Sequence, residues 1–125
     1  MEHFSPYWHL FKTYDKLKKP MEVNTSKEGI ITRGIGQGKI ILEVVAGSKV
    51  NEVTLDAVYA PDMDSNLLSA STLLEKGFEI SMKPRTGVKI LKDGVLIADT
   101  IKDGKMFRLK TVQHLAAKMA GKRID

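Results

Sequence analysis

The sequence contains no cysteine, which excludes a disulfide framework, a thiolate metal site and a cysteine nucleophile. No apolar run approaches the roughly 20 residues that span a bilayer, and the first residues lack the basic-then-apolar pattern of a secretory signal. The three histidines, His3, His9 and His114, do not have the spacing of metal ligands. We therefore expect an intracellular protein, in the cytoplasm or the nucleus, that uses no metal or cofactor and has no membrane partner.

Positive charge is in modest excess, with 20 Lys and Arg against 15 Asp and Glu, a net charge of +5 and a pI of about 9.4. The excess is concentrated at the two ends, in residues 1–20 and from Lys102 onward. Basic ends attract phosphate backbones, but they are also typical of solvated termini. No aromatic residues alternate with these charges as stacking platforms would. The composition favours solvated ends and leaves nucleic-acid binding as an alternative.

Aromatic residues are few, and five of the eight lie within the first fourteen residues. Four residues of this region have the spacing of one helical face: Leu10, Phe11, Tyr14 and Leu17. We predict a short amphipathic helix that begins after Pro6 and is ended by Pro20. A segment this apolar is expected to pack against the rest of the protein.

The pattern from Val23 onward is mainly that of β-strands. Residues 40–45 are almost continuously apolar, which predicts a strand covered on both faces. Residues 53–59 alternate between apolar and polar side chains until Pro61 ends the strand. Further short strands are predicted at 78–83, 87–91, 95–101 and 106–109, with Asp-Gly turns at 93–94 and 103–104 that suit tight hairpins. This pattern predicts a mainly-β barrel or sandwich.

Two helices are predicted within this β pattern. One covers about residues 70–77, where Thr72 and Glu75 match a capping box and Gly77 suits the left-handed position after a helix. The other covers about residues 111–121 and is amphipathic. At 125 residues the chain fits one domain. We divide it into a barrel at 1–110 and a C-terminal helix with a basic tail at 111–125.

Five pieces of the sequence, among them Tyr59-Ala60-Pro61, Asn66-Leu67-Leu68-Ser69 and Gly77-Phe78, together resemble the Pol polyproteins of copia-type retrotransposons. In that family a strand ending in Val-Leu-Tyr-Val-Pro precedes a short loop, Asn-Leu-Leu-Ser, a helix and a Gly-aromatic pair. Here Tyr59-Ala60-Pro61 precedes Asn66-Leu67-Leu68-Ser69, and Thr72 to Ile80, containing Gly77-Phe78, continues the pattern. The resemblance implies that the signature residues have structural roles: Tyr59, Pro61, Asn66, Leu67, Leu68, Ser69 and Gly77.

The other three pieces lie on either side of this signature. They are His3-Phe4-Ser5 with Leu10-Phe11 and Tyr14, then Gly34-Ile35-Gly36, and finally Asp103 to Leu109, where Met106 and Phe107 replace the family's Leu and Tyr. The match covers residues 3 to about 110. Because the family module resembles retroviral aspartic proteases, the resemblance implies a retropepsin-like closed barrel with one short internal helix.

Retropepsins act as dimers in which each subunit donates one Asp-Ser/Thr-Gly loop, so that two carboxylates share a proton and activate water. The family places this loop immediately before the position of His3. No Asp-Ser-Gly or Asp-Thr-Gly occurs in the sequence, and the nearest approach, Asp64-Ser65-Asn66, lacks the glycine of the tight active-site turn. We therefore expect no catalytic residue here and predict that the chain does not hydrolyse peptides.

The segment Arg33-Gly34-Ile35-Gly36-Gln37 is the remaining candidate site. It could be the flap that covers a bound peptide, or a bend in a barrel strand where glycine lets the backbone turn. It does not match a phosphate-binding loop, because no Lys-Ser/Thr follows the glycines.

These observations predict a catalytically incomplete retropepsin-like module of a copia-type Pol polyprotein. The partners that the resemblance implies are a second copy of the chain and a peptide or polyprotein segment. Two alternatives remain: a domesticated barrel that binds proteins or peptides, and a basic barrel that binds nucleic acid.

Overall fold

The computed structural model of the protein describes residues 2–24, 31–85, 87–103 and 106–112. Within them the chain is mainly β-structure, as predicted, and forms two four-stranded sheets. The elements are β1 (His3–Ser5), a 3-10 helix (Trp8–Leu10), β2 (Asp15–Asn24), β3 (Ile31–Ala46), β4 (Lys49–Tyr59), α1 (Ala70–Glu75), β5 (Glu79–Lys83), β6 (Gly87–Lys92), β7 (Val95–Asp103) and β8 (Met106–Leu109).

The described residues fold into two compact units. One is drawn from residues 1–41 and 54–72, and the other from residues 42–53 and 73–125. The long strands β3 and β4 each contribute residues to both units.

The first sheet has the strand order β1-β4-β3-β2. The strand β1 runs parallel to β4, with His3 opposite Ala57, whereas β2 is antiparallel to β3. The connection between β3 and β4 is the two-residue turn Gly47-Ser48, and Gly47 has a φ of +62°. A connection this short joins only antiparallel strands, and its positive φ favours glycine.

The predicted N-terminal amphipathic helix is wrong. Only Trp8–Leu10 form a short 3-10 helix, and the chain then continues as β2 through Pro20. Phe11 instead forms an isolated bridge with Ile40 of β3. Proline is tolerated in β2 because this strand is outermost in the sheet order, and the register with β3 shifts between Lys16 and Met21.

Burial along β3 and β4 follows the alternation of the strands. In the run 40–45, Ile40, Leu42 and Val44 are buried, whereas Ile41 and Val45 are half-buried and Glu43 is exposed. The strand is therefore fully covered on one face only, and the prediction of cover on both faces is wrong. In β4, Leu55 and Ala57 are buried and the intervening Asp56 is exposed, as the alternating pattern predicted.

The core of the first unit is a compact apolar cluster beside β1 and β4. Its buried members are Phe4, Val23, Val58 and Ala60, with Met21, Met63 and Leu67 packed against them. Because these side chains come from four separate parts of the chain, burying them joins β1, β2, β4 and the loop after β4.

The second sheet has the order β5-β6-β7-β8, with each strand antiparallel to its neighbours. The predicted Asp93-Gly94 hairpin turn is confirmed, because Lys92 pairs with Val95 and both turn residues have positive φ, 52° and 78°. This is the backbone that Asp-Gly favours in tight hairpins. At the second predicted turn, Asp103 pairs with Met106, and Gly104 lies outside the described residues.

The internal helix α1 covers Ala70–Glu75, within the predicted range. The predicted capping box on Thr72 is wrong, because the hydroxyl of Ser69 accepts the Thr72 N–H at 3.2 Å and so caps the helix. The predicted glycine stop is confirmed, since Gly77 has a φ of 92° and donates its N–H to the Leu74 carbonyl while Phe78 donates to Leu73.

The predicted C-terminal helix at 111–121 lies almost wholly outside the described residues. Of its residues, Thr111 forms an isolated bridge with Val44 of β3, and the structure describes nothing after Val112. The division into a barrel at 1–110 and a tail at 111–125 therefore stays a prediction.

Candidate functional site

Backbone hydrogen bonds hold β1 on both sides. On one side it pairs in parallel with β4, with Phe4 opposite Val58. On the other side, the Phe4 N–H donates to the Leu67 carbonyl at 2.8 Å and the Leu67 N–H donates to the Phe4 carbonyl at 2.9 Å. The strand β1 is thus joined to the Asn66-Leu67-Leu68-Ser69 segment.

His3 connects these two segments through its side chain. Its ring is buried at 2% exposure, and its Nδ1 accepts a hydrogen bond from the Ser69 backbone N–H at 2.9 Å. A nitrogen that accepts a hydrogen bond carries no proton, so the neutral ring carries its proton on Nε2. Among the described residues, Nε2 has no hydrogen-bond partner. Burial lowers the pKa of the His3 imidazole below its usual value of 6.5, because it disfavours the charged form.

Ser69 combines this contact with helix capping. Its backbone N–H is directed to His3, while its hydroxyl accepts both the N–H of Thr72 and the Thr72 hydroxyl, the latter at 3.0 Å. Ser69 is itself buried. One residue of the signature therefore positions β1 and the start of α1 together.

The other signature residues lie at the end of β4, in the loop that follows it and at the end of α1. Tyr59 ends β4 and pairs with Ser5, whereas Pro61 is exposed in the turn that follows. Leu67 packs on the core of the first unit, and Leu68 is half-buried. Asn66 is half-buried, and its Oδ1 has no hydrogen-bond partner among the described residues. The left-handed backbone of Gly77 ends α1.

The candidate flap, Arg33 to Gln37, lies within β3 and is paired with β2. Arg33 stands opposite Glu22, and Gln37 opposite Asp15; both Arg33 and Gln37 are exposed, and Ile35 is half-buried. The two glycines permit close packing: a Cβ on Gly34 would lie 2.3 Å from the Val58 side chain. A Cβ on Gly36 would lie 2.1 Å from the ring of Tyr14. These contacts account for the glycines as packing positions, and the flap role stays a prediction.

Four aromatic rings of the first unit pack together, and sequence reasoning missed this cluster. The aromatic cluster consists of Trp8, Phe11, Tyr14 and Tyr59. In every pair of these rings the two centroids are no more than 6.4 Å apart. The closest pair is Trp8 and Tyr14, at 4.7 Å in an edge-to-face arrangement that aromatic rings favour. Trp8 nevertheless remains 56% exposed. The density of aromatics before residue 15 is the signal in the sequence, but the spacing of Phe11 and Tyr14 also fits a helical face.

The second unit contains a buried carboxylate that sequence reasoning also missed. Asp99 on β7 accepts hydrogen bonds from the Lys89 ammonium at 2.6 Å and from the Gly47 backbone N–H at 2.9 Å. These two donors lower the pKa of the Asp99 carboxyl below its usual value of 3.8. The carboxylate holds the Gly47 turn to β7 and β6. The signal in the sequence is a single acidic residue within the apolar strand 95–101.

The Asp64-Ser65-Asn66 segment, the nearest approach to an Asp-Ser-Gly triplet, lies in a loop. Asp64 is exposed in the loop after β4, and its backbone carbonyl accepts the Tyr7 hydroxyl at 3.2 Å. Among the described residues, no group of three His, Asp or Glu side chains could hold a metal ion. No described helix is long and apolar enough to cross a membrane.

Comparison with known proteins identifies the family. The model of the family described as Pol polyprotein, beta-barrel domain, matches residues 1–78, which is more than half of the 125-residue chain. This match includes β1, the glycine-rich part of β3, the signature and α1, and it agrees with the predicted barrel architecture. The searches of curated proteins and of solved structures found no match. The chain therefore belongs to the family of beta-barrel domains of retrotransposon Pol polyproteins.

Proposed function

We propose that the chain is a retropepsin-like module of a copia-type Pol polyprotein and that, as it stands, it is catalytically incomplete. The observation that carries the proposal is the hydrogen bond between His3 and Ser69. It joins the segment that follows the family's active-site loop to the family signature 66 positions later. A loop attached before His3 would thus extend from a strand that is bonded on both flanks, which suits precise positioning of a carboxylate.

We infer the lack of peptide hydrolysis from the carboxylates that aspartic proteolysis needs. Aspartic proteolysis needs two carboxylates that share one proton. The sequence contains no Asp-Ser/Thr-Gly, and the most buried carboxylate that the structure describes, Asp99, is bonded to Lys89 and Gly47. A carboxylate held ionised by an ammonium group is poorly suited to share a proton with a second carboxylate.

Three further parts of the proposal rest on the resemblance. A second copy of the chain is the partner expected of a retropepsin-like module, and a peptide or polyprotein segment is the expected ligand. Retrotransposon polyproteins are processed within the cell, so we propose an intracellular location. Light scattering at micromolar concentration tests the dimer, and a monomer at all concentrations would contradict it.

The alternative of a peptide-binding barrel has less support. Peptides often bind by adding a strand to an exposed sheet edge. The outer strand β2 carries Pro20 and the exposed Lys16, Lys18 and Lys19. Proline and lysine on an edge strand oppose further strand pairing, so β2 is a poor template for strand addition.

Peptide hydrolysis tests the proposed function. The chain is incubated with a peptide library near pH 5, with and without pepstatin, and we expect no cleavage. A fusion that carries Asp-Ser-Gly-Ala before His3 should cleave peptides in a pepstatin-sensitive manner, and its Asp→Asn version should not. Pepstatin-sensitive cleavage by the unextended chain would contradict catalytic incompleteness. An inactive fusion that folds and dimerises would contradict the retropepsin-like relationship.

A further inference from the structure

The strand β5 forms one edge of the second sheet. It lies first in the order β5-β6-β7-β8, and it pairs with β6 along one side. Among the residues that the structure describes, no strand pairs with its other side. The backbone N–H and C=O groups along such a side are a template for pairing with another strand.

The apolar face of the second sheet continues to this edge. Ile80 pairs with Ile90 of β6, and directly paired residues of neighbouring strands project to the same face. Met82 pairs with Val88 in the same way. Ile90 and Val88 are buried, at 7% and 8% exposure, whereas Met82 is 71% exposed. Met82 therefore belongs to the face that the sheet buries but lies where the cover of that face ends.

The sequence of β5, Glu79 to Lys83, is complementary to itself in an antiparallel pairing. When two copies pair about Ser81, Glu79 of each copy stands opposite Lys83 of the other, and Ile80 stands opposite Met82. Opposite charges and apolar pairs both stabilise neighbouring strands. Glu79 and Lys83 are exposed, and neither makes an ion pair with a described residue. Both charges are therefore available to a second copy.

We propose that the outer edge of β5 binds a second copy of the chain, with the two β5 strands antiparallel about Ser81. Met82 of each copy packs against Ile80 of the other and leaves water, and two pairs between Glu79 and Lys83 fix the register. The dimer expected of a retropepsin-like module is built around the active-site loop. The β5 contact is separate from that dimer and goes beyond the proposed function.

The residue order of β5 favours a second copy over an unrelated strand. A shift of the pairing by one residue places a charged side chain opposite an apolar one, and a shift by two pairs Glu79 or Lys83 with Ser81. Pairing about Ser81 alone matches both charges. The outer edge of the first sheet is different, because β2 carries Pro20 and exposed lysines, which oppose pairing with a second copy.

Exchange of the two charges tests the contact. One short strand buries little surface, so we expect a weak dimer and follow sedimentation velocity from about 10 μM to 1 mM. E79K and K83E each place like charges opposite each other, and either should raise the dimer Kd at least about 4-fold. The double variant E79K/K83E restores opposite charges and should dimerise like the unsubstituted chain. An equal mixture of the two single variants should form a mixed dimer for the same reason.

The substitution M82S tests the apolar part of the contact. Because Met82 is 71% exposed, the monomer should keep its stability, which urea denaturation of dilute protein measures. The dimer Kd should rise at least about 10-fold, since two methionine side chains no longer leave water on pairing.

The controls reverse one charge elsewhere in the second unit. E43K and K49E change exposed residues of β3 and β4 and should leave the dimer Kd unchanged. A monomer at every concentration, or a double variant E79K/K83E that does not regain the dimer, would overturn the contact. A dimer that E79K and K83E weaken no more than the controls would also overturn it. That last result would leave the dimer expected of a retropepsin-like module in place, because that dimer does not depend on β5.

Discussion

The Ser69 backbone N–H donates a hydrogen bond to Nδ1 of the buried His3 ring at 2.9 Å. The contact requires a neutral imidazole, because a doubly protonated ring has no acceptor. It therefore makes the position of β1 dependent on the protonation state of one histidine.

Stability should fall on mild acidification. The folded-state pKa of His3 is lowered by burial, so folding favours the neutral ring, and this contribution is complete above the unfolded value of 6.5. As the pH falls through 6.5 towards the lower folded pKa, the unfolded state takes up the proton first and the free energy of unfolding decreases. Urea denaturation at pH 7.5, 6.5 and 5.5 measures the effect. H3Q should be less stable at pH 7.5 and show a weaker dependence over this range, whereas the exposed H9Q should retain it.

Adding a methyl group at Gly36 should disturb the aromatic cluster. The new Cβ in G36A would lie 2.1 Å from Tyr14 ring atoms, so the ring must move. We expect a loss of about 1–3 kcal/mol in the free energy of unfolding, the usual effect of overpacking, and a shift of Trp8 emission. G77A is the control, because its Cβ meets open space and only its φ of 92° is strained. An equal emission shift in G77A would contradict this explanation.

Removing the Ser69 hydroxyl should weaken α1. S69A loses the acceptor of the Thr72 N–H, and loss of a helix N-cap costs about 1 kcal/mol. The backbone N–H that bonds His3 is unchanged by this substitution. S71A is the matched control. Ser71 is exposed, and within the cap its hydroxyl contacts only the Ser69 hydroxyl. Denaturation curves should rank S69A clearly below S71A; the reverse order would refute the assignment of the cap.

Neutralising Asp99 should destabilise the second unit. D99N loses the ion pair with Lys89 and weakens the hydrogen bond from Gly47, and we expect a loss of about 1–3 kcal/mol. The pKa of Asp99 is lowered in the folded state, so its contribution is complete above the unfolded value of 3.8 and is lost as the pH falls from 3.8 through the lower folded pKa. Denaturation at pH 7 and pH 3 measures both effects.

The control for Asp99 is the exposed pair Lys39–Asp56, whose side chains are 58% and 61% exposed. Exposed ion pairs contribute less than about 1 kcal/mol, so D56N should have the smaller effect at pH 7. A D99N protein as stable as D56N would show that the buried contact is not a significant source of stability.

Much of the fold could be predicted from local sequence. The structure confirms three such predictions: the alternation along 53–59, the Asp93-Gly94 turn and the end of α1 at Gly77. Each depends on side chains within a few positions of one another, or on the positive φ that glycine adopts easily. The signature Asn66 to Phe78 also predicts the position of α1.

The elements that local sequence predicts wrongly are held by partners elsewhere in the chain. Residues 10–17 have helical spacing, but Phe11 bridges to Ile40, and β2 pairs with β3 through Pro20. Thr72 with Glu75 has the pattern of a capping box, but the buried Ser69 lies one turn earlier and caps the helix instead. In each case a local preference of a few tenths to about 1 kcal/mol was outweighed by tertiary pairing and burial.

By itself the sequence determined the mainly-β class, the turns, the internal helix and the absence of an Asp-Ser/Thr-Gly triplet, because these follow from local residue order. Tertiary structure alone decided that His3 meets Ser69, that Tyr59 joins the rings before residue 15, and that Asp99 holds the Gly47 turn. Contacts between residues this far apart are selected by packing and hydrogen-bond satisfaction in the whole unit, which no local pattern specifies.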